Sequence, residues 1–282
     1  MPQDAIVTAE WLAANLDDPR VKVADASFYL PIQRRNAREE FEDSHIPGAV
    51  FFDIEEICDK NAKSPHMLPS PEEFARMMGE FGFSNQDHII VYDGTGFASA
   101  AARVWWMFKV FGHDKVSVLD GGLPQWFRGK NSTEDGEATP TPAVFVSNFR
   151  PHLVRSIEQM RANITSKEEQ VLDARSLGRF KGADPEMWPV KRSGHIPGSL
   201  NLPFLIFIDD KFRTLLPMDQ IKEKIRASGA YLDKPTVATC GSGVTACVLA
   251  LAYYLLDGAE VAIYDGSWAE WGNAENAPAE LG

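Results

Sequence analysis

The chain carries the same order of motifs twice, and this internal repeat limits the possible folds more than any other feature of its 282 residues. Four short motifs of the first half recur in the second half in the same order: residues 23–26 at 171–174, 45–48 at 195–198, 90–96 at 237–243 and 119–122 at 264–267. The separation between the copies drifts by only a few residues. Because self-similarity at a fixed period marks a repeated structural unit, we expect two similar domains.

The segment between the two copies has the composition of a linker. It is rich in Thr, Pro, Glu and Asn, and the X-Pro steps at Pro140 and Pro142 favour extended backbone. Such a segment is expected to bury little. We predict an N-terminal domain over residues 1–130, a linker over residues 131–155 and a C-terminal domain over residues 156–282.

Within each half, short apolar runs alternate with helical patterns. Short apolar runs bounded by Asp or Gly are typical of buried parallel strands. The predicted strands are residues 21–24, 89–92, 116–119, 171–173, 236–239 and 261–264, and the clearest helical patterns are residues 71–81, 98–111 and 244–256. Alternation of strands and helices predicts an α/β fold, with two tandem domains that each form a parallel sheet covered by helices on both faces.

Acidic residues outnumber basic ones, with 40 Asp and Glu against 28 Lys and Arg and a formal net charge of −12. This excess argues against a nucleic-acid or membrane partner, because phosphate recognition needs a cationic face. The apolar stretches are too short to span a bilayer, and no secretory signal is visible at residues 1–5. Three cysteines are too few and too odd in number for a disulfide framework. A cytoplasmic location is therefore expected.

The two copies differ chemically at one position, where Cys240 replaces the Asp93 of the first copy. Cys240 follows a predicted strand, and Gly241, Ser242 and Gly243 lead from it into a predicted helix. A helix N-terminus offers unpaired N–H groups and a partial positive charge, which stabilise a sulfur anion. Flanking glycines let the backbone curl so that successive amides point inward. The pattern predicts a nucleophilic thiolate, and the same loop would hold a persulfide.

The alternative interpretation of Cys240 is a structural one, because a lone cysteine after a strand is most often a small buried hydrophobe. Its place at the carboxyl end of a strand favours a functional role, since α/β folds bind their ligands at that edge. Cys247 lies inside the predicted helix among apolar neighbours and is expected to belong to the core. Cys58 lies in a charged segment and has no identifiable partner.

The tandem arrangement, the paired His-Ile-Pro-Gly motifs, the Asp-Gly turns before Trp126 and Trp271 and the sequence Cys-Gly-Ser-Gly-Val-Thr at residues 240–245 resemble the rhodanese superfamily. The resemblance covers nearly the whole chain, from about residue 6 to Trp271. Thiosulfate sulfurtransferases of that family carry basic residues after the cysteine, whereas this loop looks like that of the 3-mercaptopyruvate sulfurtransferase branch. The resemblance implies that the N-terminal copy is catalytically silent, which fits Asp93 at the cysteine position.

The resemblance also implies roles for individual residues. Arg179 matches the family arginine that holds the donor's carboxylate or carbonyl oxygen, a task that suits a guanidinium fork. A second family arginine normally lies nine residues further on, where this chain has Trp188, and Lys191 and Arg192 are candidates to compensate. The remaining residues implied to bind substrate are Gly241, Ser242, Gly243, Val244 and Thr245.

Some members of the branch use a serine-protease-like set of Asp, His and Ser, and the matching positions here are Glu55, His66 and Ser242. A base in such a set relays the proton of the substrate thiol through the serine. A single histidine beside Met and Leu is more often structural, and Glu55 is one methylene longer than Asp. If the set forms, the first domain contributes Glu55 and His66 across an interdomain site. The expected catalytic residues are then Cys240, Ser242, His66 and Glu55.

The predicted function is transfer of a sulfur atom from 3-mercaptopyruvate to a thiol, thioredoxin or cyanide acceptor through a persulfide on Cys240, with release of pyruvate. The alternatives are a thiosulfate:cyanide sulfurtransferase and a sulfur carrier module without enzymatic turnover. A cysteine-dependent phosphatase is disfavoured, because it would need an arginine near the end of the loop. The chain has Ala246, Cys247 and Val248 there.

No histidine or cysteine shows the spacing of metal ligands, so neither a metal nor another cofactor is expected. A histidine and an aspartate of the repeated motifs are present in both the silent and the catalytic copy. They are therefore expected to be architectural: His45, His195, Asp120 and Asp265.

Overall fold

The computed structural model describes residues 5–282. Residues 1–4, which include the start of the predicted first domain and most of the segment without a visible secretory signal, lie outside the described residues. Two domains follow one another along the chain, and each is built on a five-stranded parallel sheet. The N-terminal sheet has the strand order β1-β5-β4-β2-β3, and the C-terminal sheet repeats it as β6-β10-β9-β7-β8. The predicted α/β fold with two parallel sheets is confirmed.

The elements of the N-terminal domain are β1 (Ile6–Val7), α1 (Ala9–Asn15), β2 (Val21–Asp25), α2 (Ala37–Asp43), β3 (Ala49–Phe51), α3 (Pro71–Glu80), β4 (His88–Tyr92), α4 (Ser99–Val110), β5 (Val116–Leu119) and α5 (Gly122–Arg128). Those of the C-terminal domain are β6 (Val154–Arg155), α6 (Ile157–Ser166), β7 (Gln170–Asp173), α7 (Leu177–Phe180), β8 (Leu200–Asn201), α8 (Met218–Ala227), β9 (Thr236–Thr239), α9 (Ala246–Asp257), β10 (Ala262–Tyr264) and α10 (Ser267–Trp271). Short 3₁₀ turns lie at Pro31–Gln33, Pro151–Leu153 and Phe204–Phe207.

The predicted strands and helices agree with these bounds to within two residues, and the differences have local causes. Helix α4 begins at Ser99 rather than at Ala98, because Ala98 has a φ of 56° and ends the preceding loop in the left-handed region. Helix α9 begins at Ala246, two residues later than predicted, because Gly243 with a φ of 76° keeps the cysteine loop out of the helix. The edge strands of two or three residues are too short to be recognised from an apolar run.

The two domains share one hydrophobic core through helices α4 and α9. Both helices are buried on nearly every side, as expected for helices that are apolar all round. Trp105 of α4 meets Tyr254 of α9 edge to face, with ring centroids 5.4 Å apart. The core cluster around them extends from Ala24 in the first sheet to Ile263 in the second. The domains therefore form one packed body, and their facing edges hold a fixed geometry.

Two loops cross between the domains in a pseudo-symmetric way. The N–H of Leu68 donates to Oδ2 of Asp265 at 2.7 Å, and the N–H of Leu215 donates to Oδ1 of Asp120 at 2.8 Å. Each of the paired aspartates, expected from the repeat to be architectural, thus holds the crossing loop of the opposite domain. The paired histidines have matching contacts as well, since Nδ1 of His45 lies 2.7 Å from the Phe41 carbonyl and Nδ1 of His195 lies 2.9 Å from the Phe180 carbonyl.

The linker follows the surface of the N-terminal domain instead of crossing freely. The N–H of Ala143 donates to the Gly79 carbonyl and the N–H of Asn148 to the Phe111 carbonyl. Phe145 is only 5% exposed and packs against Phe74, with ring centroids 5.9 Å apart. The expectation that this segment buries little is therefore wrong at Phe145, because one aromatic residue in a polar stretch does not change its average composition.

We expect Phe145→Ala to lower the free energy of unfolding by about 3–5 kcal/mol, since it removes a buried ring and leaves a cavity. Val144→Ala is the matched control, because Val144 is 79% exposed and its truncation should change stability by less than about 0.5 kcal/mol. Urea unfolding at equilibrium measures both. Equal effects of the two substitutions would contradict the docking of the linker.

Candidate active site

Cys240 directly follows β9, which lies between β10 and β7 in the C-terminal sheet. Its N–H donates to Oγ of Ser267 at 3.1 Å, and its carbonyl accepts the N–H of Trp268 at 3.0 Å, so helix α10 fixes the backbone from behind. The residue is only 2% exposed, yet it lines a cavity of about 350 Å³. The thiol is therefore a confined group at the bottom of a pocket, where a ligand can reach it.

Asp93 of the first domain shows what the loop of this fold does with an anion. Its carboxylate oxygen Oδ1 accepts the N–H of Thr95 at 3.0 Å, the N–H of Gly96 at 2.8 Å and the hydroxyl of Thr95 at 2.6 Å. The backbone here places successive amides around one negatively charged group. The N-terminal copy thus fills its own anion-binding loop with a side chain of the loop itself.

The same amides of the C-terminal copy belong to Ser242 and Gly243. Gly96 and Gly243 have the same φ of 76°, so the two loops curl alike. Among the described residues, the N–H groups of residues 241–245 have no protein acceptor. They are available to stabilise a negative charge on Cys240 or on a sulfur atom bound to it.

Arg179 of helix α7 lies against the cysteine loop. A Cβ atom built on Gly241 would lie 2.6 Å from Nη2 of Arg179, so only a glycine lets the guanidinium approach the backbone this closely. The Arg179 side chain is 16% exposed and lines the cavity beside Cys240. The structure thus brings together the predicted nucleophile, its loop and the predicted substrate-binding arginine.

Arg179 belongs to a buried chain of alternating charges. Glu186 accepts hydrogen bonds from Nε and Nη2 of Arg179 through Oε2, at 3.0 and 2.5 Å. Its other oxygen, Oε1, accepts from Nη1 of Arg175 at 2.5 Å, and Arg175 is also held by Asp173 at the end of β7. Glu186 and Arg175 were not predicted as functional residues, because each lies among other charged residues in the sequence.

His66 reaches the site from the N-terminal domain. Its Nδ1 lies 3.2 Å from Oγ of Ser242, and its ring packs edge-on between Phe28 and Trp188, with centroid separations of 5.0 and 5.3 Å. The His66 carbonyl accepts a hydrogen bond from Nη2 of Arg103. Nε2 of His66 is buried and has no hydrogen-bond partner in the part of the chain that the structure describes.

Burial between the two aromatic rings lowers the pKa of His66 to about 4, and the positive charge of Arg103 contributes to the same shift. The imidazole is therefore neutral at pH values well above 4. A neutral imidazole beside Ser242 can accept a proton or orient the hydroxyl, but it supplies no positive charge to the site.

Glu55 lies apart from this arrangement. Its side chain is exposed, and within residues 5–282 its carboxylate makes no hydrogen bond to His66. Partial burial, with the charge of Asp53, raises the pKa of Glu55. In the expected set the acid would orient the histidine, yet Nδ1 of His66 faces Ser242 and Nε2 is enclosed without a partner. The structure brings Ser242 and His66 together and leaves Glu55 outside the set.

Arg103 of helix α4 connects the two domains at the back of the cysteine loop. Its guanidinium is 1% exposed and donates to Oδ1 of Asp265 at 2.6 Å, to the carbonyl of Gly243 at 3.1 Å and to the carbonyl of His66. Arg103 was not predicted as a functional residue, although the sequence indicates that it is unusual. A charged residue inside the apolar run at residues 100–108 must be paired when the helix is buried.

The residues expected to replace the second family arginine do not reach the cavity. The guanidinium of Arg192 is bonded to the carbonyls of Trp271, Ala274 and Ala277, and Lys191 lines a different cavity. Trp188 itself lines the cavity beside Cys240. Apolar residues of both domains form much of the cavity lining, beside the two arginines and a few neutral polar side chains: Phe28, Leu30, Phe97, Met187, Trp188, Phe204 and Leu205.

Within the described residues, no group of three or more His, Cys, Asp or Glu side chains is placed to hold a metal ion. No helix among them combines the length and apolar character needed to cross a membrane.

Comparison with known proteins agrees with the repeated fold and with the cysteine loop. The model of the rhodanese-like domain matches the chain twice, over residues 8–128 and 156–274. The chain belongs to the rhodanese family and contains two copies of its domain, as the motifs predict. The boundaries predicted for the domains and the linker lie near these matches, and they remain predictions.

Named relatives identify the branch. The chain is 46% identical to thiosulfate/3-mercaptopyruvate sulfurtransferase 2 of Arabidopsis thaliana, over 98% of this chain and 86% of that protein. It is 44% identical to 3-mercaptopyruvate sulfurtransferase of Homo sapiens, over 95% and 91% of the two chains. The crystal structure of SseA from Escherichia coli, a 3-mercaptopyruvate sulfotransferase, superposes with a TM-score of 0.86 at 40% identity over 94% of this chain and 98% of that one. These similarities confirm the predicted 3-mercaptopyruvate sulfurtransferase branch.

We expect His66 to make the folded protein less stable as the pH falls. Its pKa rises from about 4 in the folded chain to about 6.5 when unfolded, so between these values the unfolded chain binds a proton that the folded chain does not. The free energy of unfolding should fall by up to about 3 kcal/mol across this window on account of His66. Urea unfolding of the wild type and of His66→Gln at pH 7.5, 6 and 5 isolates the effect. Parallel pH dependences of the two proteins would contradict a neutral, buried His66.

Proposed function

We propose that this chain transfers a sulfur atom from 3-mercaptopyruvate to a thiol-type acceptor through a persulfide on Cys240. One observation carries the proposal above the others. The sulfur of Cys240 faces a pocket from within a loop whose amides, in the sister domain, bind the carboxylate of Asp93. An anionic sulfur at Cys240 takes the place of that carboxylate, and it is open to a substrate.

In the first step the thiolate of Cys240 attacks the sulfur of 3-mercaptopyruvate. A sulfur–sulfur bond forms while the carbon–sulfur bond of the donor breaks, and the bonding electron pair goes to carbon as the enolate of pyruvate. The proton of the donor thiol is transferred to this enolate, so pyruvate leaves and the outer sulfur keeps the negative charge. The free amides of the loop stabilise that charge, which is the part of the reaction that the fold favours most.

In the second step a nucleophilic acceptor attacks the outer sulfur. The sulfur–sulfur bond breaks and its electron pair returns to Cys240 as a thiolate, while the acceptor leaves with the transferred sulfur. Cyanide, a small thiol and reduced thioredoxin are all chemically suited to this step. Because the enzyme alternates between thiolate and persulfide, ping-pong kinetics are expected.

Donor recognition is assigned to Arg179 and to the loop residues 241–245. The guanidinium of Arg179 beside Gly241 suits the donor's carboxylate or ketone oxygen. Ser242, with the neutral His66 at 3.2 Å from its hydroxyl, is suited to hold and pass on the donor's thiol proton. Glu55 makes no contact that supports a part in this transfer, so our proposed relay has two members, Ser242 and His66.

Thiosulfate is the second candidate donor. Relatives named thiosulfate sulfurtransferase are as similar to this chain as the mercaptopyruvate enzymes, with 43% identity for the protein of Gallus gallus over 95% of this chain. Overall identity therefore does not separate the two donors. The small residues after Cys240 and the apolar wall around Trp188 support a donor with one organic carboxylate over a compact dianion such as thiosulfate.

The acceptor and the cellular location belong to the proposal as well. The three cysteines of the chain are free thiols in the structure, which is compatible with the reducing cytoplasm that we propose as its location. A related protein of Arabidopsis thaliana is named mitochondrial, so the compartment differs within the family. A thiol acceptor such as thioredoxin is our preferred one, because thiols are kept reduced in the cytoplasm.

Cys240→Ser should abolish pyruvate release from 3-mercaptopyruvate, because serine forms no persulfide. Intact mass after donor treatment should show one added sulfur atom on the wild type, removable by a reductant, and none on the variant. Cys58→Ser is the matched control, since Cys58 lies in a loop of the first domain and hydrogen-bonds to the carbonyl of Glu55. Full turnover by Cys240→Ser would refute the proposal. So would a wild type that takes up a sulfur atom from neither 3-mercaptopyruvate nor thiosulfate.

Trp188→Arg should lower the KM for 3-mercaptopyruvate by roughly three- to tenfold, because it places a second cation in the wall of the pocket beside Arg179. Trp188→Phe is the control, since it keeps an aromatic ring near His66 without adding charge. Initial rates of pyruvate release give the KM values of both variants. A KM that rises in Trp188→Arg would mean that the indole itself, and not the missing charge, determines donor binding.

A further inference from the structure

Building on the proposed function, we propose that Glu186 is the positioning residue that aims Arg179 at the sulfur donor. Among the described residues, the Glu186 carboxylate hydrogen-bonds to Arg179 and Arg175 and to no residue of the cysteine loop, so it would act on the donor through the Arg179 guanidinium. Its two carboxylate oxygens divide their bonds between two arginines that both line the cavity: Arg175, whose side chain is fully buried, and Arg179, which is 16% exposed. The orientation of Arg179 is thereby set by a group on the far side from the substrate.

The contacts of the Arg179 guanidinium determine which of its N–H groups remain for a ligand. A guanidinium has five N–H donors in a fixed plane, and Glu186 takes the Nε donor and one of the two on Nη2. Both donors of Nη1 and the second donor of Nη2 have no partner among the described residues. Those on the outer edge of the fork form the pair that binds a carboxylate or ketone oxygen end-on.

The anchor behind Glu186 is rigid. Arg175 is fully buried and donates to both carboxylate oxygens of Asp173 and to the carbonyl of Gly194. Its remaining nitrogen, Nη1, donates to Glu186, whose side chain is 4% exposed. A carboxylate held in this way has little freedom to move. Three consecutive ion pairs thus connect the end of β7 to Arg179 at the edge of the pocket.

The segment that carries Glu186 also contributes Met187 and Trp188 to the lining of the pocket. Trp188, two residues further on, packs edge-on against His66, and its Cδ1 atom would lie 3.8 Å from a Cβ atom on Gly241. A donor entering between Arg179 and Trp188 therefore meets two side chains whose positions depend on one short stretch of chain. The absence of the second family arginine makes the aim of Arg179 more important.

A different role for Glu186 would produce the opposite effect on donor binding. If Glu186 competed with the donor for Arg179, neutralising it would free the guanidinium and lower the KM for an anionic donor. As a positioning residue, its neutralisation releases Arg179 into several rotamers, and the donor then has to order the side chain on binding. The direction of the KM change separates the two roles.

The experiment measures steady-state and single-turnover kinetics of Glu186→Gln. We expect the KM for 3-mercaptopyruvate to rise about tenfold, while the rate at which preloaded persulfide is discharged to cyanide stays within about twofold of the wild type. The matched control is Glu169→Gln, which neutralises a similar, largely buried ion pair with Arg155 far from the pocket. Its KM should equal that of the wild type. An unchanged or lowered KM in Glu186→Gln would overturn the inference.

A double-mutant cycle tests whether the effect passes through Arg179. In an Arg179→Lys background, Glu186→Gln should change the KM less than twofold, because the group that it orients is absent. Full additivity of the two substitutions would overturn the inference. If Glu186→Gln fails to fold, Glu186→Asp retains the charge but is too short to hold both arginines, and the same rise in KM is expected. Lack of pyruvate release by the wild type would instead refute the proposed function itself.

Discussion

The rest of the site depends on the ion pair and the hydrogen bonds made by the buried guanidinium of Arg103. It lies between the domains and contacts Asp265, the carbonyl of Gly243 in the cysteine loop and the carbonyl of His66. A charge without solvent must keep its partners, because removing one leaves an uncompensated ion that costs several kcal/mol. The spacing between the cysteine loop and the histidine loop is therefore held by an ion pair and two hydrogen bonds of a helix in the N-terminal domain. The loop of that domain has Asp93 in place of a cysteine, and its helix α4 helps to set the geometry of the neighbouring loop.

Duplication also explains how one loop serves two purposes. In the first copy, Asp93 provides the negative charge that the amides need, and the loop is complete without a ligand. In the second copy the same backbone surrounds Cys240, whose sulfur can accept a sulfur atom from a donor and pass it to an acceptor. Both copies obey one electrostatic rule, namely that inward-facing amides require an anion. Changing a carboxylate to a thiol at this position converts a structural requirement into a reactive group, while the fold around it stays the same.

The sequence was sufficient to predict the features that depend on local pattern. The repeat, the parallel sheets and the position of Cys240 after a central strand follow from motif order and from short apolar runs. Contacts that depend on distant parts of the chain could not be predicted in this way. Glu186 pairs with Arg175 and Arg179 only because the loop after α7 folds back on them, and Phe145 is buried only because the linker follows the first domain. Glu55 shows the converse, since matching a family position does not bring its carboxylate to His66.

The charged groups beside the pocket largely compensate one another. Asp173, Arg175, Glu186 and Arg179 alternate in sign, so the protein groups compensate one another before any substrate binds. The donor's carboxylate then interacts with an arginine whose inner edge is already paired and whose outer edge faces a largely apolar lining. Low polarity strengthens each remaining electrostatic contact, and the indole of Trp188 contributes to it beside Cys240. Because the two oxygens of Glu186 are shared between the buried Arg175 and Arg179, the direction of Arg179 depends on that pair of contacts. If Glu186 orients Arg179 as we propose, donor affinity depends on the direction of this guanidinium as well as on the number of positive charges.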